Sequence, residues 1–420
     1  MRAFFLRLAV LLLAAACAAL PAGAEGLHTR DEVRAANRLL GGAPAASPYE
    51  EMPSTSAPYA CGSLKDAALD DAIAYFNFLR WLAYLDGTVA LDPSLNEICQ
   101  HGAVLLAALD RVDHNPDPPG DMDAEFYRIA SYATGASSLA GLNWMKSDIL
   151  RTGLNYFARD DGEKNLPVLG HRRWLLNPEM GVTGFGLANS QTGMTYVVMF
   201  AHDRSGEAGA WDHVCWPSAG AFPAELMRSA LAWSVTLNPE VYDLTASAPA
   251  VWMREQVSGA EYSFPYPAGQ YENGYFAVNE DAYGAGPCLI FRPSLAFGGL
   301  EEYQQNQVWE VRVTGLVDAA GRLTEIEYTT EMIALHAIDA AAVEVSELEL
   351  ALTAGETFSL TAQVIPAWAD DTSVTWRSSD ETVATVDATG LVGAVGAGTC
   401  EIVAASTNGH EDVCQVTVGE

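Results

Sequence analysis

The sequence predicts a multi-domain α+β protein in which a helix-rich domain is followed by two all-β sandwiches. Three observations predict this. Ala72, Ile73, Phe76, Leu79, Leu82 and Leu85 recur at three- and four-residue spacing, the period of an amphipathic helix. From Trp216 onward the apolar residues fall in short runs broken by Pro, Gly and Asn-Gly, the signature of strands. The chain has 420 residues, 50% of them hydrophobic, which is too long for one ordinary core and too apolar for disorder.

Residues 1–24 read as a secretion signal: Arg2 and Arg7, the apolar run LAVLLLAAACAAL, then Ala22-Gly23-Ala24 as a cleavage site. The alternative is a lipid on Cys17. The run is short for a membrane span and no later run reaches span length, so the expectation is a secreted chain with no transmembrane segment in its mature form, released or surface-associated. Residues 25–60, rich in Ala, Pro, Ser and Gly, are expected to form a short helix and a loose arm or linker. Helices are expected from Asp66, from Pro93 with Asp92 or Ser94 as cap, over Asp123–Thr134, and over Gly141–Ala158. VTGFGLA and MTYVVMFAH then read as strands joined by a turn at Asn189–Gly193, completing an α+β domain over 61–213. AWSVTL, CLIFRP, VWEVRVTGL and TEIEYTTEMIAL are strands of a β extension over 214–340. A final all-β block occupies 341–420, with Asn408-Gly409 as its last hairpin turn.

Asp and Glu number 54 against 22 Lys and Arg, a net charge of −32. Such a surface repels nucleic acid and anionic lipid and keeps a protein in solution. Beyond the signal stand Cys61, Cys99, Cys215, Cys288, Cys400 and Cys414, an even set that permits disulfides. Sequence order suggests Cys61–Cys99, Cys215–Cys288 and Cys400–Cys414, one pairing among many. No CxxC spacing occurs, which argues against a zinc site or redox dithiol built on thiolates.

Two histidines stand out by context: His114 in RVDHNPDPP and His171 in LGHRRWLLNP. With AIAYFNFLRWLAYLDGTVALDPSLNEICQHGAVLLAALDRVDHNP, SSLAG, GLNWMKSDIL and GHRRWLLNPEMGVTGFGLA in this order, residues 66–202 resemble the superfamily of cysteine-rich secretory proteins, antigen 5 and pathogenesis-related proteins, the CAP domain. The resemblance implies an α–β–α sandwich whose cleft holds two histidines and two acidic residues, in some members around a divalent metal. His114 and His171 match the histidines. The acids do not match: Ser137 or Ser138 stands at the first position, and Ser147, with Asp148 beside it, at the second. His114 and His171 are therefore candidate cleft residues and a candidate zinc pair, weak without further ligands. A histidine acting as general base here has no carboxylate in the family's positions to orient its ring. The structural reading of the same residues is that each imidazole donates to a backbone carbonyl and locks its turn, with Trp174, Leu175 and Leu176 packed inward and Arg172 and Arg173 solvated or paired with the abundant carboxylates. His202, at a strand end, is a third candidate ligand or a surface residue. The acidic run Asp110–Glu125 fails as an EF-hand, because proline stands where the turn glycine must be.

Trp216, Trp233 and Trp309 of the middle block are expected in a core, the alternative being a sugar-stacking platform. LTAGETFSLTAQVIPAWADDTSVTWRSSDETVATVDATGLVGAVGAGTCEIVAAS resembles a bacterial immunoglobulin-like domain of group 2, which implies a spacer or adhesive module with Trp376 in its core. The resemblances together imply a CAP-like α–β–α sandwich followed by two all-β Ig-like sandwich domains. The function they imply is extracellular binding or cell-envelope interaction, toward a cell-wall, glycan, lipid or protein ligand, without catalytic residues. The alternative is a secreted hydrolase using the His114/His171 cleft.

Overall fold

The computed structural model describes residues 26–42, 47–85, 87–143, 148–228 and 230–420. These fall into two compact units, one ending at Leu335 and one running from His336 to Glu420.

In the first unit, helix α1 (Arg30–Leu40) opens with a capping box: Thr29 accepts from the Glu32 N–H while the Glu32 side chain accepts from the Thr29 N–H. Strands β1 (Tyr49–Glu51) and β2 (Ser63–Leu64) pair ahead of α2 (Asp66–Leu82). Strand β3 (Ala90–Leu91) leads into α3 (Pro93–Leu109), which Asp92 caps by accepting from the N–H groups of Ser94 and Leu95. There follow α4 (Ala124–Gly135), β4 (Ser137–Leu142), α5 (Ile149–Arg159), α6 (Gly170–Leu175), β5 (Val182–Thr183), β6 (Phe185–Asn189) and β7 (Thr195–Phe200).

Strands β4, β7 and β6 form an antiparallel sheet in that order, buried on both faces. Leu139, Ala188, Tyr196, Val198 and Phe200 pack with Cys99, Ala103, Val104 and Leu106 of α3. Ala140, Phe185, Leu187, Val197 and Met199 share the other core with α2 and α5. Helices thus cover both faces of the sheet. The glycines of VTGFG permit the close approach of helix to strand: a Cβ on Gly186 would lie 2.0 Å from the Cys99 carbonyl oxygen, and one on Gly184 2.4 Å from the Leu95 backbone.

Two expectations are corrected here. The helix expected over Gly141–Ala158 begins only at Ile149, because Gly141 and Leu142 pair with Tyr196 and Thr195 in the sheet; residues 144–147 lie outside the described residues. A strand buried on both faces lacks the alternation that marks a strand in sequence. The N-terminal arm is not loose where it is described. Val33 is fully buried, Arg34 donates to the Ala334 carbonyl, and Arg30 pairs with Asn306 and Glu331.

The same unit continues through β8 (His213–Trp216), β9 (Gly220–Pro223), β10 (Trp233–Leu237), β11 (Ala250–Glu255), β12 (Glu261–Phe264), β13 (Gly269–Tyr271), β14 (Gly274–Asn279), β15 (Cys288–Pro293), β16 (Val308–Val317) and β17 (Leu323–Ile333). They form two five-stranded sheets, β13-β14-β15-β10-β8 and β12-β11-β16-β17-β9. Trp216, Trp233 and Trp309 are fully buried, so they are core residues and cannot stack on a sugar. One hydrophobic core runs from Val33 of α1 to Ile333 of β17, joining the helical and sandwich parts.

The second unit is all β: β18 (Ala342–Val345), β19 (Glu349–Thr353), β20 (Thr357–Ser359), β21 (Ala362–Ile365), β22 (Val374–Ser378), β23 (Ala384–Val386), β24 (Leu391–Ala394), β25 (Gly398–Ser406) and β26 (Glu411–Gly419). Sheets β19-β26-β25-β22 and β20-β24-β23 enclose Leu360, Val392, Ile402 and Val416. Trp376 is partly buried between this core and a smaller cluster around Val343 and Val364, and its ring lies against Gly390.

The expected disulfides do not form: all six cysteines among the described residues are free. Cys99 points at the Gly184 carbonyl across the α3–sheet contact. Cys215 and Cys288 lie on β8 and β15 with β10 between them, Cys215 opposite Val235 and Cys288 opposite Thr236. They face opposite sides of the sheet and stand two strand spacings apart, roughly 10 Å, beyond disulfide reach. Cys400 and Cys414 are diagonal neighbours on β25 and β26, opposite Val416 and Ile402 respectively. The diagonal separation of roughly 7–8 Å exceeds the usual Cα spacing of a bridge.

Candidate functional site

Helix α5 ends at Asp160, whose backbone adopts the left-handed conformation (φ 50°, ψ 44°) that Asp tolerates at a C-cap. Its fully buried carboxylate gathers the start of α6. Oδ2 accepts the backbone N–H of His171 at 2.9 Å and that of Arg172 at 3.3 Å; Oδ1 accepts Nδ2 of Asn165 at 2.8 Å and Nδ1 of His171 at 2.9 Å. A carboxylate only accepts, so Nδ1 of His171 carries a proton directed at Asp160. The ring rests against Phe157, with centroids 5.3 Å apart. His171 therefore does have an orienting carboxylate, one the sequence reading missed. The signal was ARDDG, an Asp-Asp-Gly helix end of the kind that turns left-handed, but Asp160 stands eleven residues before the histidine and outside the expected acidic positions.

His114 is exposed and its Nδ1 donates to the Thr134 carbonyl at 2.8 Å, while the Thr134 hydroxyl donates back to the His114 carbonyl at 3.2 Å. His202 follows β7, and its N–H donates to the Ala136 carbonyl. Burial, the nearby His114 and Arg204 all hold His202 below the usual histidine pKa. Its ring lies 4.6 Å from Trp174 of α6, over which Arg204 also stacks at 5.7 Å. His202 is thus the electrostatic neighbour of His114, rather than an isolated strand-end histidine. Helix α6 carries His171 and, one turn on, Trp174, so a single short helix presents the carboxylate-held imidazole and the tryptophan that meets His202.

The neighbouring arginines are not solvated. Arg172, 1% exposed, donates to the carbonyls of Ala158, Arg159 and Ala232 and to the Ser234 hydroxyl, and burial lowers its pKa to about 10. Arg173 donates to the carbonyls of Val168, Asp281 and Gly286 and to Asn279, and stacks on Tyr283. Both arginines tie the helical part to the sandwich, since Ala232, Ser234, Asn279 and Asp281 belong to the latter. From the other side, the buried Arg80 of α2 donates to the carbonyls of Leu175 and Asn177. Three guanidinium groups hold α6 in place, mainly through backbone carbonyls, with the Ser234 hydroxyl and the Asn279 side chain as further acceptors.

The expected acid-replacing serines are not at this surface. Ser137 and Ser138 are buried in β4 with hydroxyls that lack a hydrogen-bond partner, Ser137 beside the Cys99 thiol, which burial pushes up to about 12. Ser147 lies outside the described residues. Asp148 precedes α5 without a side-chain capping bond. Among the described residues no group of three or more His, Cys, Asp or Glu side chains is placed to hold a metal ion. No helix among them is long and apolar enough to cross a membrane.

The C-terminal unit is an immunoglobulin-like sandwich. Residues 339–417 match the family model of the bacterial Ig-like domain (group 2), and this unit is a domain of that kind. The chain is 48% identical over 71 residues to a lacto-N-biosidase of Bifidobacterium bifidum, covering 17% of this chain and 6% of that protein. It is 48% identical over 71 residues to a 3-O-alpha-D-galactosyl-alpha-L-arabinofuranosidase of Bifidobacterium longum subsp. longum, covering 16% and 6%. The chain thus spans only a small fraction of these curated relatives. Similar solved structures include an intimin mutant of EHEC O157:H7 (22% identity, 18% of this chain and 45% of that one, TM-score 0.16) and domains 4 and 5 of the S-layer protein SbsC (14% identity, 29% and 69%, TM-score 0.18). Extracellular domains 3–5 of Drosophila OTK match at 13% identity over 45% of this chain and 59% of that one, with a TM-score of 0.21. At these TM-scores the structures as wholes are not alike.

Proposed function

We propose that the protein works outside the cell or on its surface as a binding protein. In this reading residues 61–213 are a CAP-type domain that recognises an envelope or extracellular ligand, 214–340 extend it, and the Ig-like domain is the stalk. The match of residues 339–417 to the bacterial Ig-like family carries the reading, because such domains act as spacers and adhesive modules at cell surfaces. The recognition surface in this reading is the one built on α6, which carries His171 held by Asp160 and Trp174 against His202, the latter with His114 as its electrostatic neighbour. An aromatic ring beside oriented imidazoles offers stacking and directional hydrogen bonds to one ligand. Protease shaving of intact producing cells, followed by fractionation, tests the location. The protein is expected in the shaved or medium fraction, and recovery in the cytoplasm alone would refute the reading.

One observation favours a second reading, a secreted hydrolase. A buried carboxylate on Nδ1 leaves Nε2 of His171 able to accept a proton from a nucleophile or water, the arrangement of a general base. If so, His171→Ala abolishes an activity toward envelope or glycan substrates while leaving ligand retention measurable.

A further inference from the structure

We propose that the outer face of the second sandwich sheet, around Trp252, is a binding site for neutral hexopyranose glycans, separate from the α6 surface. Along β11 the side chains alternate: Val251, Met253 and Glu255 are buried, while Trp252 and Arg254 point outward. Trp252 is therefore a large aromatic on the solvent side of a sheet whose core is already filled by other tryptophans. Strand register sets its neighbours. Ser263 of β12 lies opposite it on one side and Arg312 of β16 on the other, with Glu327 of β17 opposite Arg312. In the adjoining row Arg254 faces Glu261 and Glu310, and Glu310 faces Thr329.

Trp252, Glu310, Arg312, Glu327 and Thr329 line a cavity of about 500 Å³ on this face. That volume lies within the range of small-ligand sites. Its polar groups are pre-positioned: Arg312 forms an ion pair with Glu327, the two side chains 53% and 49% exposed, and Gln256 donates to Glu310 at 2.8 Å.

The chemistry selects the occupant. An indole face beside planar carboxylate and guanidinium groups matches a pyranose ring, which offers an apolar C–H face and a rim of hydroxyls able to donate to Glu and accept from Arg. An anionic ligand is disfavoured, because the one lining arginine is already paired and two carboxylates line the same cavity on a protein of net charge −32. An apolar protein surface would have to desolvate Glu310, Arg312 and Glu327 without replacing their water hydrogen bonds. A neutral polyol replaces those bonds one for one.

The test is isothermal titration of the full chain with cello-, chito- and malto-oligosaccharides, in wild type, Trp252→Ala, Glu310→Gln and, as a control on the other surface, His171→Ala. Circular dichroism and urea midpoints verify that the variants fold, which the outward position of Trp252 makes the expectation. At least one oligosaccharide is expected to bind wild type and His171→Ala equally. Trp252→Ala should weaken that binding about tenfold or more and Glu310→Gln measurably. Absence of binding by all three sugars overturns the proposal, as does binding that Trp252→Ala leaves unchanged or that His171→Ala alone removes.

Discussion

Asp160 Oδ1 lies 2.9 Å from His171 Nδ1, and the same carboxylate caps the first backbone N–H groups of α6. One buried acid thus fixes both the position of the helix and the tautomer of the histidine it presents. Asp160→Asn keeps the shape but can offer Nδ1 either an oxygen or an amide N–H. The variant should lose about 1–3 kcal/mol of stability, because buried donors exchange a charged acceptor for a neutral one. Nitrogen NMR of the imidazoles should show His171 passing from the Nδ1–H tautomer to a mixture; an unchanged tautomer would contradict the assignment.

Arg172 makes four hydrogen bonds, three of them fully buried, that join the end of α5 to the start of β10. Arg172→Met removes the charge but leaves its carbonyl acceptors unsatisfied inside. A loss of about 3–5 kcal/mol in urea unfolding is expected. Arg128→Ala, which removes an exposed pair with Glu125, should leave the midpoint unchanged.

His28, His202 and His213 all have pKa values held below 6.5, chiefly by burial. The unfolded chain therefore binds more protons than the folded one just below that pH. Stability from these groups is intact above 6.5 and falls as the pH drops from there toward the depressed folded values. His28 stacks on Tyr84 and lies tilted against Trp81, its Nε2 hydrogen-bonded to the Trp81 carbonyl and its buried Nδ1 without a partner. His28→Gln should give a shallower decline in urea midpoint between neutral pH and about pH 5 than wild type. Comparing the two cancels the relief of acidic self-repulsion, which acts in the opposite direction. Equal slopes would remove His28 from the account.

Free cysteines make a direct prediction. Alkylation under denaturing conditions without reductant should label Cys61, Cys99, Cys215, Cys288, Cys400 and Cys414 in peptide maps. In the native protein Cys61 should react first, being only half-buried, whereas burial pushes Cys99 and Cys215 up to about 12. Reductant should leave the melting temperature unchanged.

The helices over 66–82, 93–109 and 124–135 were legible because their apolar period and, for the latter two, an Asp at the N-cap are local properties. The sandwich strands and the buried tryptophans were legible for the same reason. Strand β4 was not, since burial on both faces erases alternation. Arg172 and Arg173 read as solvated or carboxylate-paired because their main acceptors are carbonyls, which leave no mark in a sequence. Cysteine pairing by order failed because strand register, not proximity in the chain, decides which side chains meet. At the candidate site, the sequence singles out His114 and His171 by their context. Asp160 and Trp174 were not legible there, because their roles depend on a helix end and a crossing from β7 that only the fold brings together.

In the proposed function the surface built on α6 holds an extracellular ligand. The most direct measurement is co-sedimentation of the full chain with isolated envelopes of the producing cells, comparing wild type with His171→Ala and Trp174→Ala. Wild type is expected to pellet with the envelopes, and both folded variants to stay in solution. Variants that pellet as fully as wild type would contradict that function.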